Sequence, residues 1–223
     1  MKLEHSAPAG IENASMQIIA SELAQMGIEI PPENRAVVYR AIHASADFDY
    51  AKNLRFTPDA VRRGMAALHS GAVIVTDTNM ALAGVSKPSL KKLQSEALCY
   101  MAQPEIAREA NERGVTRAAV SMERAMAEHP GAVIAVGNAP TALVRLAELM
   151  ETGARPALVI GVPVGFVNVV ESKEMIFAAC RKWNVPCIAA MGRKGGSSVA
   201  AAIVNALLYT AADTLDPVKR GWK

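Results

Sequence analysis

Five short apolar runs constrain this chain most: AVIVTD (72–77), ALCYM (97–101), AVIAVG (132–137), ALVIGV (157–162) and CIAAM (187–191). None alternates polar with apolar residues, so each reads as a strand covered on both faces. Helical stretches separate them, roughly at 104–128 with a break near Gly114, then at 140–151, 171–183 and 196–212. Buried strands alternating with helices imply a mainly parallel five-stranded sheet in a three-layer α/β/α sandwich, with right-handed crossovers.

The opening third reads as helices. Asn13 is placed to cap one carrying Met16, Ile19, Leu23 and Met26 on a single face, with Gly27 ending it. PPENRAVVYRAIHAS begins a second, with proline confined to its first turn. TPDAVRRGMAALHSG begins a third, with Thr57 as the expected cap and Gly71 as the stop. No linker or repeat divides the chain, so residues 1–223 read as one domain, with 1–10 a loose N-terminal segment.

Composition then excludes several classes. Only 4% of residues are aromatic and the net charge is +3 with scattered basic residues, which argues against a nucleic-acid surface. The three cysteines, Cys99, Cys180 and Cys187, are odd in number and lack CxxC spacing, so a reducing cytoplasm is expected. The N-terminus has no apolar signal core, and no apolar run approaches the ~18 residues of a membrane span.

In open parallel sheets, ligands bind beyond the carboxyl ends of the strands. Turn-forming and polar residues gather there: TDTNM with Thr76 and Asp77, GNAPTA with Asn138, GVPVGFVN with Val164, and GRKGGSS with Gly195. Each alone is ordinary turn chemistry. Four at one edge imply a broad pocket with backbone N–H groups and helix N-termini pointing inward, suited to carboxylates or phosphates. GRKGGSS lacks phosphate-loop spacing and no strand leads into GxGxxG, so a nucleotide site has little support.

His5, His43, His69 and His129 show no metal-ligand pattern, and there is no HExxH or GxSxG. His69 and His129 precede apparent helix stops, where contact with the C-terminal dipole explains them. His43 differs. In VVYRAIHASAD it shares a helix face with Arg40, and with Asp47 near the helix end. It is either a satisfied structural histidine or a proton-transfer group beside an anion-holding arginine. Its ordinary pKa of ~6.5 suits the second role and decides nothing.

YRAIHASAD, LRFTPDAV, IVTDTNMALAGV, AVGNAPTAL, GVPVGFVNVVESKE and GRKGGSSVAAAIVNALL, in this order, resemble the precorrin-8 methylmutase family of cobalamin biosynthesis. The resemblance implies a flavodoxin-like fold and a homodimer with shared active sites. It also implies an isomerase, without cofactor or protein-bound metal, moving a methyl group from C11 to C12 of a tetrapyrrole. The corrinoid product is hydrogenobyrinate or, with cobalt, cobyrinate. The acid–base histidine of the family falls on His43, and its substrate contacts fall on Ser15, Arg40 and Arg117. Thr76, Asp77, Asn138, Val164 and Gly195 are then expected to line the pocket. The sequence leaves open whether the substrate carries cobalt, with GRKGGSSVAAAIVNALLY and VVESKE leaning towards the cobalt form. A corrinoid carrier and a nucleotide-binding regulator are the alternative readings.

Overall fold

The computed structural model describes residues 7–222. His5 and most of the segment expected to be loose lie outside the described residues, while Pro8–Gly10 already belong to a helix.

One six-stranded sheet forms the middle layer. Its strands are β1 (Leu54–Phe56), β2 (Ile74–Thr76), β3 (Ala97–Leu98), β4 (Val133–Val136), β5 (Leu158–Gly161) and β6 (Cys187–Ala190), in the order β1-β6-β5-β4-β2-β3. The five expected strands are present and parallel to one another. β1 corrects the expected count: it pairs antiparallel with β6, matching Leu54 to Ala190 and Phe56 to Ile188. Strands β4, β5 and β6 are buried at every residue, which is why they read as unbroken apolar runs.

Helices α1 (Pro8–Gln25), α2 (Arg35–Ser45), α4 (Ala60–His69), α5 (Asn79–Gly84) and α11 (Ser197–Ala211) share one core on one face of the sheet. Helix α11 is its centre, buried along ten residues from Val199 to Ala211 and packed on α2, α4 and α5. Helices α7 (Pro104–Arg113), α8 (Arg117–Glu128), α9 (Pro140–Glu151) and α10 (Val169–Lys182) share a second core on the other face. Short helices α3 (Tyr50–Asn53) and α6 (Lys87–Lys92) fill the connections.

Two expected caps are corrected. Helix α1 starts at Pro8, where a proline fits the first turn, and Asn13 lies within it. Helix α4 starts at Ala60 after a left-handed Asp59. Thr57 instead accepts the Cys187 amide through Oγ1 at 2.8 Å, joining the end of β1 to β6. The break at Gly114 is as expected, at φ +64° between α7 and α8.

Candidate active site

The carboxyl ends of β2, β4, β5 and β6 lie along one sheet edge, and the strand order reverses between β3-β2 and β4 there. Loops from all four strands meet at that edge and are stitched to one another. Asp77, just past β2, is fully buried, and its carboxylate accepts N–H groups of Gly137, Asn138 and Ala139 at 2.7–2.8 Å. Burial pushes its carboxyl above the ordinary range, and the three amides oppose that shift. The amides before α9 and the Asp77 carboxylate are thus spent on one another.

Thr76 is also buried, with Oγ1 donating within the fold, at 3.1 Å to Thr78 O. Asn138 exposes its side chain while its amide serves Asp77. Thr78 and Ser197 join hydroxyls at 2.8 Å, tying the β2 loop to the start of α11. Gly195 lies so close to the Val162 carbonyl that a Cβ would collide with it, and Gly196 donates to that same carbonyl at 2.9 Å. Helix α11 has no side-chain cap at its first turn, and the first N–H groups of a helix have no intrahelical acceptor. Val164, Phe166 and Val167 project from the β5 loop, Phe166 being 83% exposed. Such an apolar rim suits a flat hydrophobic ring.

Ser15, Arg40 and His43 gather on α1 and α2. Arg40 Nη2 meets Glu12 Oε1 at 2.7 Å between the two helices, and Arg220 binds the same carboxylate. Both guanidinium groups lie over the Tyr209 ring. Burial raises the Glu12 pKa, but hydrogen bonds and charge from the two arginines outweigh it and hold the carboxyl below its ordinary value. Ser15, one turn beyond Glu12, donates to Ile11 O at 2.8 Å. Arg40 is thus pinned rather than free, and a substrate contact must use what its pairing with Glu12 leaves open.

His43 is exposed on α2. Partial burial first, then the Arg40 charge, hold its pKa below 6.5, while Glu12 opposes the shift. No hydrogen bond among the described residues contributes to that shift. Burial and the Arg40 charge both favour the neutral imidazole over its protonated form, and the ring is exposed. Asp47 does not pair with Arg40: it lies past the left-handed end of α2 at Ala46 and binds Lys194 at 2.7 Å. Lys194 also holds Asp49 at 2.6 Å, tying the His43 helix end to the loop after β6.

Arg117 stands apart from this cluster. It opens α8 on the opposite face of the sheet, exposed, with Nη1 3.5 Å from Met101 O beyond β3. Four strand spacings, roughly 19 Å, separate β6 from β3. A cavity of about 680 Å³ between the end of α1 and the start of α2 contains none of these residues. Among the described residues no three His, Cys, Asp or Glu side chains gather to hold a metal ion. No described helix is long and apolar enough to cross a membrane.

Sequence reasoning missed Glu12, Lys173 and Lys194. For Lys173 a signal was present: it falls in line with Val169, Ile176 and Cys180 on the buried face of α10, and it is fully buried.

A family model described as precorrin-8X methylmutase matches residues 10–210. A cobalt-precorrin-8 methylmutase of Priestia megaterium is 41% identical, covering 90% of this chain and 87% of its own. A precorrin-8X methylmutase of Pseudomonas aeruginosa is 42% identical, covering 80% of this chain and 85% of its own. A crystal structure of precorrin-8x methyl mutase from Thermus thermophilus matches with a TM-score of 0.81 and 39% identity, over 91% of this chain and 98% of that one.

Proposed function

This chain belongs to the precorrin-8X methylmutase family, isomerases of cobalamin biosynthesis, and we propose that it moves a methyl group from C11 to C12 of precorrin-8 or its cobalt complex, with His43 as the acid–base group. The observation that carries the assignment of His43 is its place: an exposed imidazole on α2, one turn from Arg40. The C11–methyl bond breaks and the C12–methyl bond forms within one molecule, so no leaving group needs a nucleophile and no external cofactor enters. Proton placement on the ring system selects the electronic arrangement in which the methyl group migrates.

The surroundings support this reading. The substrate is a wide apolar macrocycle rimmed with carboxylates. The exposed Val164, Phe166 and Val167 offer it an apolar wall, and the uncapped start of α11 offers N–H donors to a carboxylate. The order β3-β2-β4-β5-β6, with β1 added at its edge, supports a flavodoxin-like reading of the sheet. Arg117 opens α8 beside Met101 beyond β3, on the face of the sheet opposite α2, an arrangement that supports a homodimer whose sites draw on both subunits.

Relatives named for the cobalt substrate and for the metal-free one are 41% and 42% identical, so the test uses both. Purified protein is incubated with precorrin-8X and, separately, with cobalt-precorrin-8. The expected result is a corrinoid of unchanged mass, with the migrated methyl group located at C12 by NMR. Release of either compound unchanged from a protein that binds it would turn the reading to a carrier.

A further inference from the structure

Lys173 is the one fully buried lysine among the described residues. Its ammonium donates to the carbonyls of Gly192 and Lys194, each at 2.8 Å. Both acceptors belong to the turn after β6, and among the described residues no carboxylate pairs with it. The next link is the Lys194 side chain, which clamps Asp47 at 2.7 Å and Asp49 at 2.6 Å. Asp47 is one turn beyond His43. A second tie follows at Met191, whose amide donates to Asn53 O at 2.9 Å.

We propose that Lys173 is a positioning residue for His43, acting through the 192–194 turn and the Lys194 clamp on Asp47 and Asp49; the inference rests on the methylmutase reading above. The turn is short and polar, and it has no apolar side chain to seat it. Its shape is set instead by the buried ammonium beneath it, by Gly165 donating to Arg193 O, and by Gly196 donating to Val162 O. Burying an unpaired ammonium is unfavourable enough that its pKa falls to about 8. The two acceptors of that ammonium are both carbonyls of the turn, so its charge is directed at the segment it holds. The Lys194 clamp, by contrast, is exposed and worth little in stability. Its removal tests position without threatening the fold.

The test compares wild type with Lys173→Met, Lys194→Met and the double variant. Readouts are kcat, product Kd, thermal midpoint and tryptic cleavage after Arg193. Displacing a catalytic group by about 1 Å costs up to 10²-fold in rate. Lys194→Met is expected to keep its thermal midpoint and bind product within about threefold, while kcat falls about tenfold. Lys173→Met is expected to lose at least as much kcat and to be cut first after Arg193. Because the two residues act in series, the double variant should be no slower than Lys173→Met. Wild-type kcat in Lys194→Met, or losses that multiply in the double variant, would overturn the inference. Should Lys173→Met not fold, the paired Asp47→Asn, Asp49→Asn variant must reproduce the loss seen in Lys194→Met, and full activity there overturns it equally. Failure of the methylmutase reading is distinguishable, since wild type itself would then isomerise neither substrate.

Discussion

Glu12 and Arg40 meet at 2.7 Å across the α1–α2 contact, with their side chains only 7% and 11% exposed. The arginine beside the candidate acid–base histidine is thus oriented by a buried acid on another helix. Arg220 shares that acid, so one carboxylate serves two guanidinium groups. Removing it leaves both cations buried and uncompensated. Glu12→Ala is expected to cost about 3–5 kcal/mol, lowering the thermal midpoint by on the order of 10 °C in a domain of this size. Because the folded-state pKa of Glu12 is lowered, its stabilisation is present above the unfolded value of ~4.3. That contribution is lost as pH falls through the folded value. Urea titrations between pH 3 and 7 should show wild type losing stability on acidification, and Glu12→Ala losing less. Equal slopes would remove Glu12 from this role.

Much of this architecture was legible because burial on both faces leaves a mark in the residues themselves. Val133–Val136 and Leu158–Gly161 announce covered strands whatever else the chain does. The edge strand was not legible. Leu54, Arg55 and Phe56 make three residues with one exposed, and their pairing depends on β6, more than 130 positions away. The same limit applied to the site. Asp77 was visible as a polar residue at a strand end, but its use depends on amides 60 to 62 residues further on. Glu12 looked like any helix-surface acid, because Arg40 and Arg220 come to it from distant positions. Residue type fixed which chemistry was present, and tertiary partners decided whether it was free.

Asp77 is expected to matter for stability more than for contact with substrate. Its carboxylate satisfies three buried or half-buried amides. Leaving such a donor unpaired costs about 1–3 kcal/mol. Asp77→Ala should lose at least about 3 kcal/mol, and Asp77→Asn less, since its amide oxygen still accepts one or two of the three. Chemical denaturation measures this, alongside product Kd on the folded fraction. A variant of native stability with weakened binding would return Asp77 to the ligand surface.

His43 should change its protonation when the product binds. In the free protein, burial and Arg40 hold its pKa below 6.5, so below that pH the unfolded chain takes up the proton first and the residue's contribution to stability falls. A ligand rimmed with carboxylates brings negative charge beside the imidazole and should raise the pKa, favouring the protonated form that can donate to the ring. NMR titration of the His43 ring proton, assigned with His43→Asn, is expected to move to higher pH on adding product. An unmoved titration would count against proton donation. The same assignment predicts that His43→Ala loses ~10²–10⁴-fold in turnover while keeping most product affinity.

The separation of His43 and Arg117 gives the test of a shared site. In one chain they occupy opposite faces of the sheet, near β6 and β3, with roughly 19 Å of strand spacing between those strands. A two-fold partner presenting its own β3 end towards this chain's α2 would bring the pair together. His43→Ala and Arg117→Ala, each inactive alone, are mixed in equal amounts after dissociation and allowed to reassociate. Random pairing gives mixed dimers as about half the population, and each then has one doubly damaged site and one intact site. Activity should recover to about a quarter of wild type, with the recovered sites showing wild-type kcat at reduced number. If each site is built within one subunit, every site in every dimer carries one substitution and mixing restores nothing. That outcome would take Arg117 out of the partner's pocket and leave the assignment of His43 standing on its own evidence.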